Sequence, residues 1–273
     1  MNDIINFARS YGIIVDNLPP LGIWKRYATT DHPSKQNGAI KWMGDHAFVI
    51  NWATMTEVEC WQGQPPSGLD MEKMNRQIRA AEEKKRRIQQ EAASKAAGLL
   101  KQSVFAHHDY LKAKGFPDEQ GHVYVKDGQQ FLVIPMRRGN RLVGAQVIDT
   151  QGEKKFLFGQ ASGGAEFVFD NKGPHVLCEG YATALSIRAA MKALKRRYTL
   201  HVCFSAGNMF KIASSLPGGF VVADHDASGT GQRIAEQIGW SYWMSDVEGE
   251  DANDCHQRIG LFKFSQSLQK VFK

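Results

Sequence analysis

A chain of 273 residues, 42% hydrophobic and 23% charged, holds enough apolar material for one large core or two smaller ones. No run of about 18 apolar residues exists to span a bilayer, and the opening MNDIINFARSYG lacks the basic flank and apolar middle of a secretory leader. A cytoplasmic protein with no membrane contact is expected. The formal charge of +6 favours a polyanionic partner, a signal many small-molecule enzymes share. Cys60, Cys178, Cys203 and Cys255 are scattered, which excludes a disulfide framework and a CxxC zinc pair. Cys178 and Cys203 sit in apolar runs and read as core thiols.

In chain order, the texture changes twice. Residues 1–66 hold four of the six tryptophans, Trp24, Trp42, Trp52 and Trp61, and the stretches GAIKWMG and HAFVINWAT read as short strands split by turns. A small β-rich module is expected there. Residues 67–102 are rich in strong helix formers, with Met71, Met74, Ile78 and Ala81 three or four residues apart and a charge run in the middle. These predict a solvated linker helix with one thin apolar stripe. Residues 103–172 contain FLVIPMRRGNRLVGAQVIDTQGEKKFLFG, three strand-like pieces with turns at 138–140 and 151–152, an antiparallel meander.

From residue 173 to 273 strands alternate with helices: strands at 175–178, 201–204, 220–223 and 241–244, helices at 181–194, 208–215 and 229–238, and a short helix near Asn253. Such alternation predicts a parallel sheet with right-handed crossovers, so the chain is read as an α/β protein. Ligands of open parallel sheets collect at the carboxyl ends of the strands. The residues standing there are Glu179 and Gly180, then Ser205 and Gly207, then Asp224 and Asp226, then Asp251 and Asp254.

Any one of these acids has a bland reading, and Asp226 or Ser228 alone reads as a cap for the helix starting near Gly229. Several carboxylates at one sheet edge repel unless a cation lies between them. Mg²⁺ is held by one or two carboxylates while phosphates complete its shell, so an acidic cluster in a basic chain points to phosphoryl chemistry on a polyanion. Strand alternation would aim Asp224 and Asp226 to one side and His225 to the other, making His225 a packing or supporting residue rather than a ligand.

The strings LCEGYATALS, VCFSAGNM, VVADHDASGTGQRIAEQ and EDANDCHQ, in this order and spacing, resemble the TOPRIM domain of bacterial primases, topoisomerases and some nucleases. EGYATA in particular resembles the primases of satellite phages, prophages and conjugative plasmids. HHDYLKAKGF and the meander that follows are similar to the segment preceding TOPRIM in those primases, so the resemblance covers roughly residues 105–259. It implies a TOPRIM-type parallel-sheet domain at 173–273, preceded by a small α+β antiparallel-meander subdomain at 103–172 that forms the other half of a polymerase core.

By the same resemblance Glu179 is an acid/base and metal-adjacent group, Asp224 and Asp226 are the metal-binding pair, and Asp251 is the aspartate of the last motif. Asn253 stands where replicative primases often carry a further acid, for which Asp254 can substitute. The implied activity is Mg²⁺- or Mn²⁺-dependent synthesis of oligoribonucleotide primers from ribonucleoside triphosphates on single-stranded DNA. The chain has no GxxxxGK[ST] phosphate loop, so a separate helicase is the expected partner. Arg137, Arg138, Arg141, Lys154 and Lys155 are candidates for triphosphate or template contact, each equally readable as a solvated surface charge.

The family's amino-terminal module holds a zinc ribbon, but residues 1–66 contain no ligand set with zinc spacing, and no zinc is expected. His32 and His46 read as ordinary loop histidines and the tryptophans as core. Trp42 beside Lys41 is the pair that suits a single-strand contact. A TOPRIM nuclease and a non-catalytic single-strand-binding protein are the competing functions.

Overall fold

The computed structural model describes residues 2–55, 57–63 and 68–272. The fold is mixed α/β, in two compact units, Met1–Arg87 and Ile88–Lys273. No helix among the described residues is long and apolar enough to cross a membrane.

The first unit opens with α1 (Asn2–Ser10), a helix the sequence reading did not foresee. β1 (Trp24–Tyr27), β2 (Gly38–Trp42), β3 (His46–Asn51) and β4 (Glu59–Gln62) follow as an antiparallel sheet in sequential order. Alternation sorts its faces. Ile40 and Val49, opposite one another in register, pack with Ala8, Ile13 and Val15 in one apolar cluster. Trp24, Lys41, Phe48 and Cys60, also in register, lie on the opposite face.

α2 (Gly68–Gln102) is the expected helix, but the boundary between the units falls inside it rather than at its ends. Met71 and Met74, named in its apolar stripe, lie outside the residues whose side chains are described, while Ile78 and Ala81 are half-buried. Its last turns are not a bare linker: Ala96 is fully buried against Val133, Ala145 and Leu157, and half-buried Leu99 and Leu100 pack against the same cluster.

Those last three residues belong to, or follow, an antiparallel sheet of β5 (Val104–Ala106), β6 (Gly121–Lys126), β7 (Gln129–Arg138), β8 (Arg141–Asp149) and β9 (Lys154–Phe156), again in sequential order. The meander of β7, β8 and β9 is as the apolar alternation implies, whereas β5, β6 and the short α3 (Asp109–Ala113) emerge only in the structure. Leu132, Ile134 and Met136 face the main core, and Val133 faces α2.

The second sheet of this unit holds β10 (Phe167–Asp170), β11 (His175–Cys178), β12 (Thr199–Val202), β13 (Gly219–Ala223) and β14 (Ser241–Met244) in the order β10-β12-β11-β13-β14. The last four strands are parallel as expected, and β10 adds an antiparallel edge. The connecting helices are α4 (Tyr181–Ala193), α5 (Ala206–Ala213) and α6 (Thr230–Ile238), with α7 (Ala252–Gln269) closing the chain. Val176, Cys178, Leu200, Val202 and Val222 face the core that α4 and α7 join, while Leu177, Cys203, Val221 and Ala223 pack with α5 and α6. Strand β11 therefore begins a sheet that grows to one side through α4 and to the other through α5. That reversal opens a crevice at the carboxyl ends of β11 and β13, the usual ligand position of such sheets.

Candidate functional site

Glu179 follows β11 and Asp224 follows β13, so each stands at one lip of the crevice. Gly231 brings the start of α6 down onto the second lip: a Cβ there would lie 2.2 Å from the Asp224 carbonyl oxygen. At the end of β12, Phe204 takes φ 66, a left-handed conformation that strains an aromatic residue, and its amide donates to the Glu179 carbonyl at 2.9 Å. Ser205 then caps α5, accepting from the Asn208 amide.

Asp224 is the electrostatic centre. Burial pushes its carboxyl up, Glu179 and Asp251 push it further, and Lys154 opposes them, with the outcome a rise from 3.8 to about 7. Its Oδ1 is buried and has no hydrogen-bond partner. Burial also raises Glu179, with Asp226 adding to the rise and Lys154 and the Ala206 amide acting against it. Asp251 likewise raises the buried Tyr110 phenol, although burial is the larger cause.

A half-buried carboxylate with an orphaned oxygen and like charges around it is a group that needs a cation. Among the described residues no three Asp, Glu, His or Cys side chains form a group that could hold a metal ion. Asp224, with its unbonded oxygen, and Glu179 are the carboxylates that a cation at this edge could use, and Mg²⁺ is usually held by one or two carboxylates with phosphates and water completing its shell.

The other acids divide differently from the expectation. The alternation argument for Asp226 assumes that the strand continues, but β13 ends at Ala223 and the chain turns into α6. Asp226 Oδ1 accepts from the Ser228 hydroxyl and amide and from the Thr230 amide, and Oδ2 accepts from the Gly231 amide at 3.1 Å. Burial acts to raise its carboxyl, yet these hydrogen bonds outweigh it and the net displacement is downward. Gly229 is the N-cap of α6, and Asp226, from the loop before it, satisfies amides of the first turn while its charge bears on Glu179, so its surroundings differ from those of Asp224.

Asp251 and Asp254 form the capping box of α7: Asp251 Oδ1 accepts from Asn253 and Asp254 amides at 2.7 and 2.9 Å, and Asp254 Oδ2 accepts from the Asp251 amide. Asp251 Oδ2 takes no part in the cap. Asp254 Oδ1 lies 3.5 Å from Lys114 Nζ. Asn253 is fully buried, donating to Lys114 O and Ser186 Oγ and accepting from Gln257. Its amide is a structural tie, not part of the crevice chemistry. The His225 ring is held by the Ser245 carbonyl at 2.9 Å, a packing role.

The candidate cations are also sorted by strand pleat. Lys154 and Phe156 share one face of β9; Lys154 acts on Glu179 and Asp224, and Phe156 meets Phe204 edge-on at 6.2 Å. Lys155, on the other face, pairs with Glu153 at 3.1 Å. Arg137 donates to the Asn140 carbonyl, closing its own turn, and Arg138 donates to the carbonyls of Ala161 and Gly163. Arg141 is exposed. Gly180 is the N-cap of α4, and Gly207 faces open space in the first turn of α5.

In the first unit, Lys41 and Trp42 are neighbours in sequence but occupy opposite faces of β2. The tryptophans are not core: Trp24 and Trp52 are exposed and Trp42 and Trp61 half-buried; Trp24 and Phe48, 6.5 Å apart, share the Lys41 face, and Arg26 lies 3.7 Å over the Trp52 ring. His46 pairs with Asp45 at 2.6 Å, and His32 is exposed.

Sequence reasoning passed over Asn208. Its Oδ1 accepts from the Gly164 amide, and its Nδ2 donates to the carbonyls of Ala165 and Cys203, both at 2.7 Å. It thereby ties the residue 161–165 loop, which Arg138 also holds, to the end of β12. The Ser205-x-x-Asn208 spacing marks a helix start and carries no sign of this second duty. The chain matches no protein-family model and no curated protein.

Proposed function

We propose that the chain is a TOPRIM-type DNA primase, synthesising short oligoribonucleotides on single-stranded DNA, with a separate helicase supplying unwinding. The observation that carries the reading is Asp224: a half-buried carboxylate with an orphaned oxygen, pushed up to about 7, beside Glu179 and Asp251 at the switch point of a largely parallel sheet. Asp224, with Asp251 beside it, would hold Mg²⁺ or Mn²⁺, and Glu179 is the metal-adjacent acid/base group. Bound there, the cation would supply charge neutralisation for the attacking and leaving oxygens.

The remaining steps belong to the chain's own groups. Glu179, its proton affinity raised by burial and by Asp226, accepts the proton of a 3′-hydroxyl as that oxygen attacks the α-phosphate and pyrophosphate leaves. Lys154, whose charge already acts on Glu179 and Asp224, offsets phosphate charge. Asp226 and Asp251 hold the starts of α6 and α7 in position.

Purified protein incubated with single-stranded templates, Mg²⁺ or Mn²⁺ and labelled ribonucleotides is expected to give short products that disappear in Glu179→Gln and Asp224→Asn. Degradation of labelled DNA in place of incorporation would replace this reading with a nuclease. Neither activity, with DNA binding intact in Asp224→Asn, would replace it with a single-strand-binding protein.

A further inference from the structure

At the opposite, amino-terminal edge of the β11 and β12 strands lies a cavity of 780 Å³, lined by the last turns of α4, the turn into β12, and residues near Phe116. A strand of four residues spans roughly 13 Å, so this cavity is separated from the acidic crevice by the thickness of the sheet edge to edge. Its cations are Arg188, Lys192, Lys195, Arg196 and Arg197. Two are already engaged: Arg188 with Glu119, and Arg196 with the Phe272 carbonyl. The cavity's other acid, Asp170, is paired with Lys172 at 2.8 Å. Lys192, Lys195 and Arg197 are exposed and have no acidic partner among the described residues.

Cations at a helix end complement the helix dipole, and that alone accounts for Lys192. It does not account for the next two. α4 ends at Ala193 with Leu194 as its cap, so Lys195 and Arg197 lie beyond the helix. Lys195 has φ 53, in the left-handed region where glycine is the low-strain residue. The helix thus ends in a turn closed by the Lys195 amide on the Lys192 carbonyl and the Arg196 amide on the Met191 carbonyl, with a lysine at the left-handed position. Gly173 makes room for the same turn, since a Cβ there would lie 2.2 Å from the Tyr198 amide nitrogen. Between the cations the floor is apolar: Leu185, Ala189, Phe116 and Tyr198.

We infer that this cavity binds a nucleotide unit of a single-stranded nucleic acid, its phosphates on Lys192, Lys195 and Arg197 and its base on the apolar floor. Three cations without acidic partners around a mixed floor, in which half-buried Phe116 is the aromatic ring most open to a base, match the two halves of a nucleotide, whereas an acidic peptide or inorganic phosphate would use only the charge. The site goes beyond the catalytic reading: it would anchor a strand away from the acidic crevice.

The test is fluorescence anisotropy of a labelled thymidine oligonucleotide on the full chain between about 50 and 200 mM salt. The comparison is wild type against the combined variant Lys192→Ala, Lys195→Asn, Arg197→Ala; asparagine tolerates the left-handed conformation, and unchanged thermal melting verifies the fold. Losing three single-strand phosphate contacts should flatten the logarithmic salt slope by about 2 and weaken binding on the order of 100-fold near 0.1 M salt. An unchanged slope and affinity overturns the inference. So does displacement of the oligonucleotide by polyglutamate at matched charge, or a mononucleotide that binds as tightly as the strand. Anisotropy requires no nucleotide incorporation, so a chain inactive in the priming assay still tests this site.

Discussion

Replacing Asp224 by asparagine tests the electrostatics of the crevice without any assumption about substrate. The carboxyl titrates near its ordinary 3.8 when the chain is unfolded and at about 7 when folded. Its folded form therefore holds a proton that the unfolded form releases. The associated stability is fully present below pH 4 and is lost as pH rises through 7. The whole displacement corresponds to roughly 4 kcal/mol, of which roughly 3 kcal/mol falls between pH 5 and 8. Urea unfolding in chelator, followed by circular dichroism, should show the wild type weakening by about that amount across this window. Asp224→Asn should flatten most of the fall and be the more stable protein at pH 8. A smaller residual slope belongs to Glu179, which burial and the Asp226 charge raise and which the substitution leaves in place. Added Mg²⁺ should stabilise the wild type at pH 8 and leave the variant unmoved. Equal pH dependence in the two proteins would refute the account of Asp224 as an ionised group held at a cost.

Removing Lys154 should raise the titration of both Glu179 and Asp224, since its charge opposes their rise, whereas Lys155→Ala should leave them in place; carboxyl NMR titration separates the two. Asp251→Ala abolishes the α7 capping box and should cost about 1 kcal/mol in thermal unfolding, with Asp251→Ser recovering most of it. Asn208→Ala leaves the Gly164 amide and the Ala165 and Cys203 carbonyls without their partner, and hydrogen exchange at residues 161–165 should accelerate by on the order of 10-fold or more. Gly231→Ala should lower stability by about 2 kcal/mol or more, because the 2.2 Å clash is with backbone; retention of full stability in a melting curve would show that α6 can retreat from Asp224 freely.

Much of the architecture could be read from local pattern. The β7–β8–β9 meander follows from apolar alternation with glycine turns, and the parallel strands β11 to β14 follow from short apolar runs alternating with helical segments. The acids at the strand ends were visible for the same reason. What local pattern missed were the short or edge elements, α1, β5, β6 and β10, whose few residues form only because a neighbouring strand or core completes them.

The residues at the carboxyl edge were named by the sequence itself: Glu179 and Asp224 stand directly after apolar strand runs, Asp226 and Asp251 lie in the loops that lead into the following helices, and the strand–helix alternation orders all four along one edge. Which of them carries unbalanced charge was decided only by tertiary structure. Asp226 turns its oxygens to the α6 amides and Asp251 turns one to α7, while Asp224 is left half-buried with an unbonded oxygen, under the opposing charges of Glu179 and Lys154. Residue spacing records which face of a strand a side chain takes. It does not record where the strand ends, which helix start lies above it, or which cation a separate sheet brings across, and those set the solvation and hydrogen bonding that fix a carboxylate's charge.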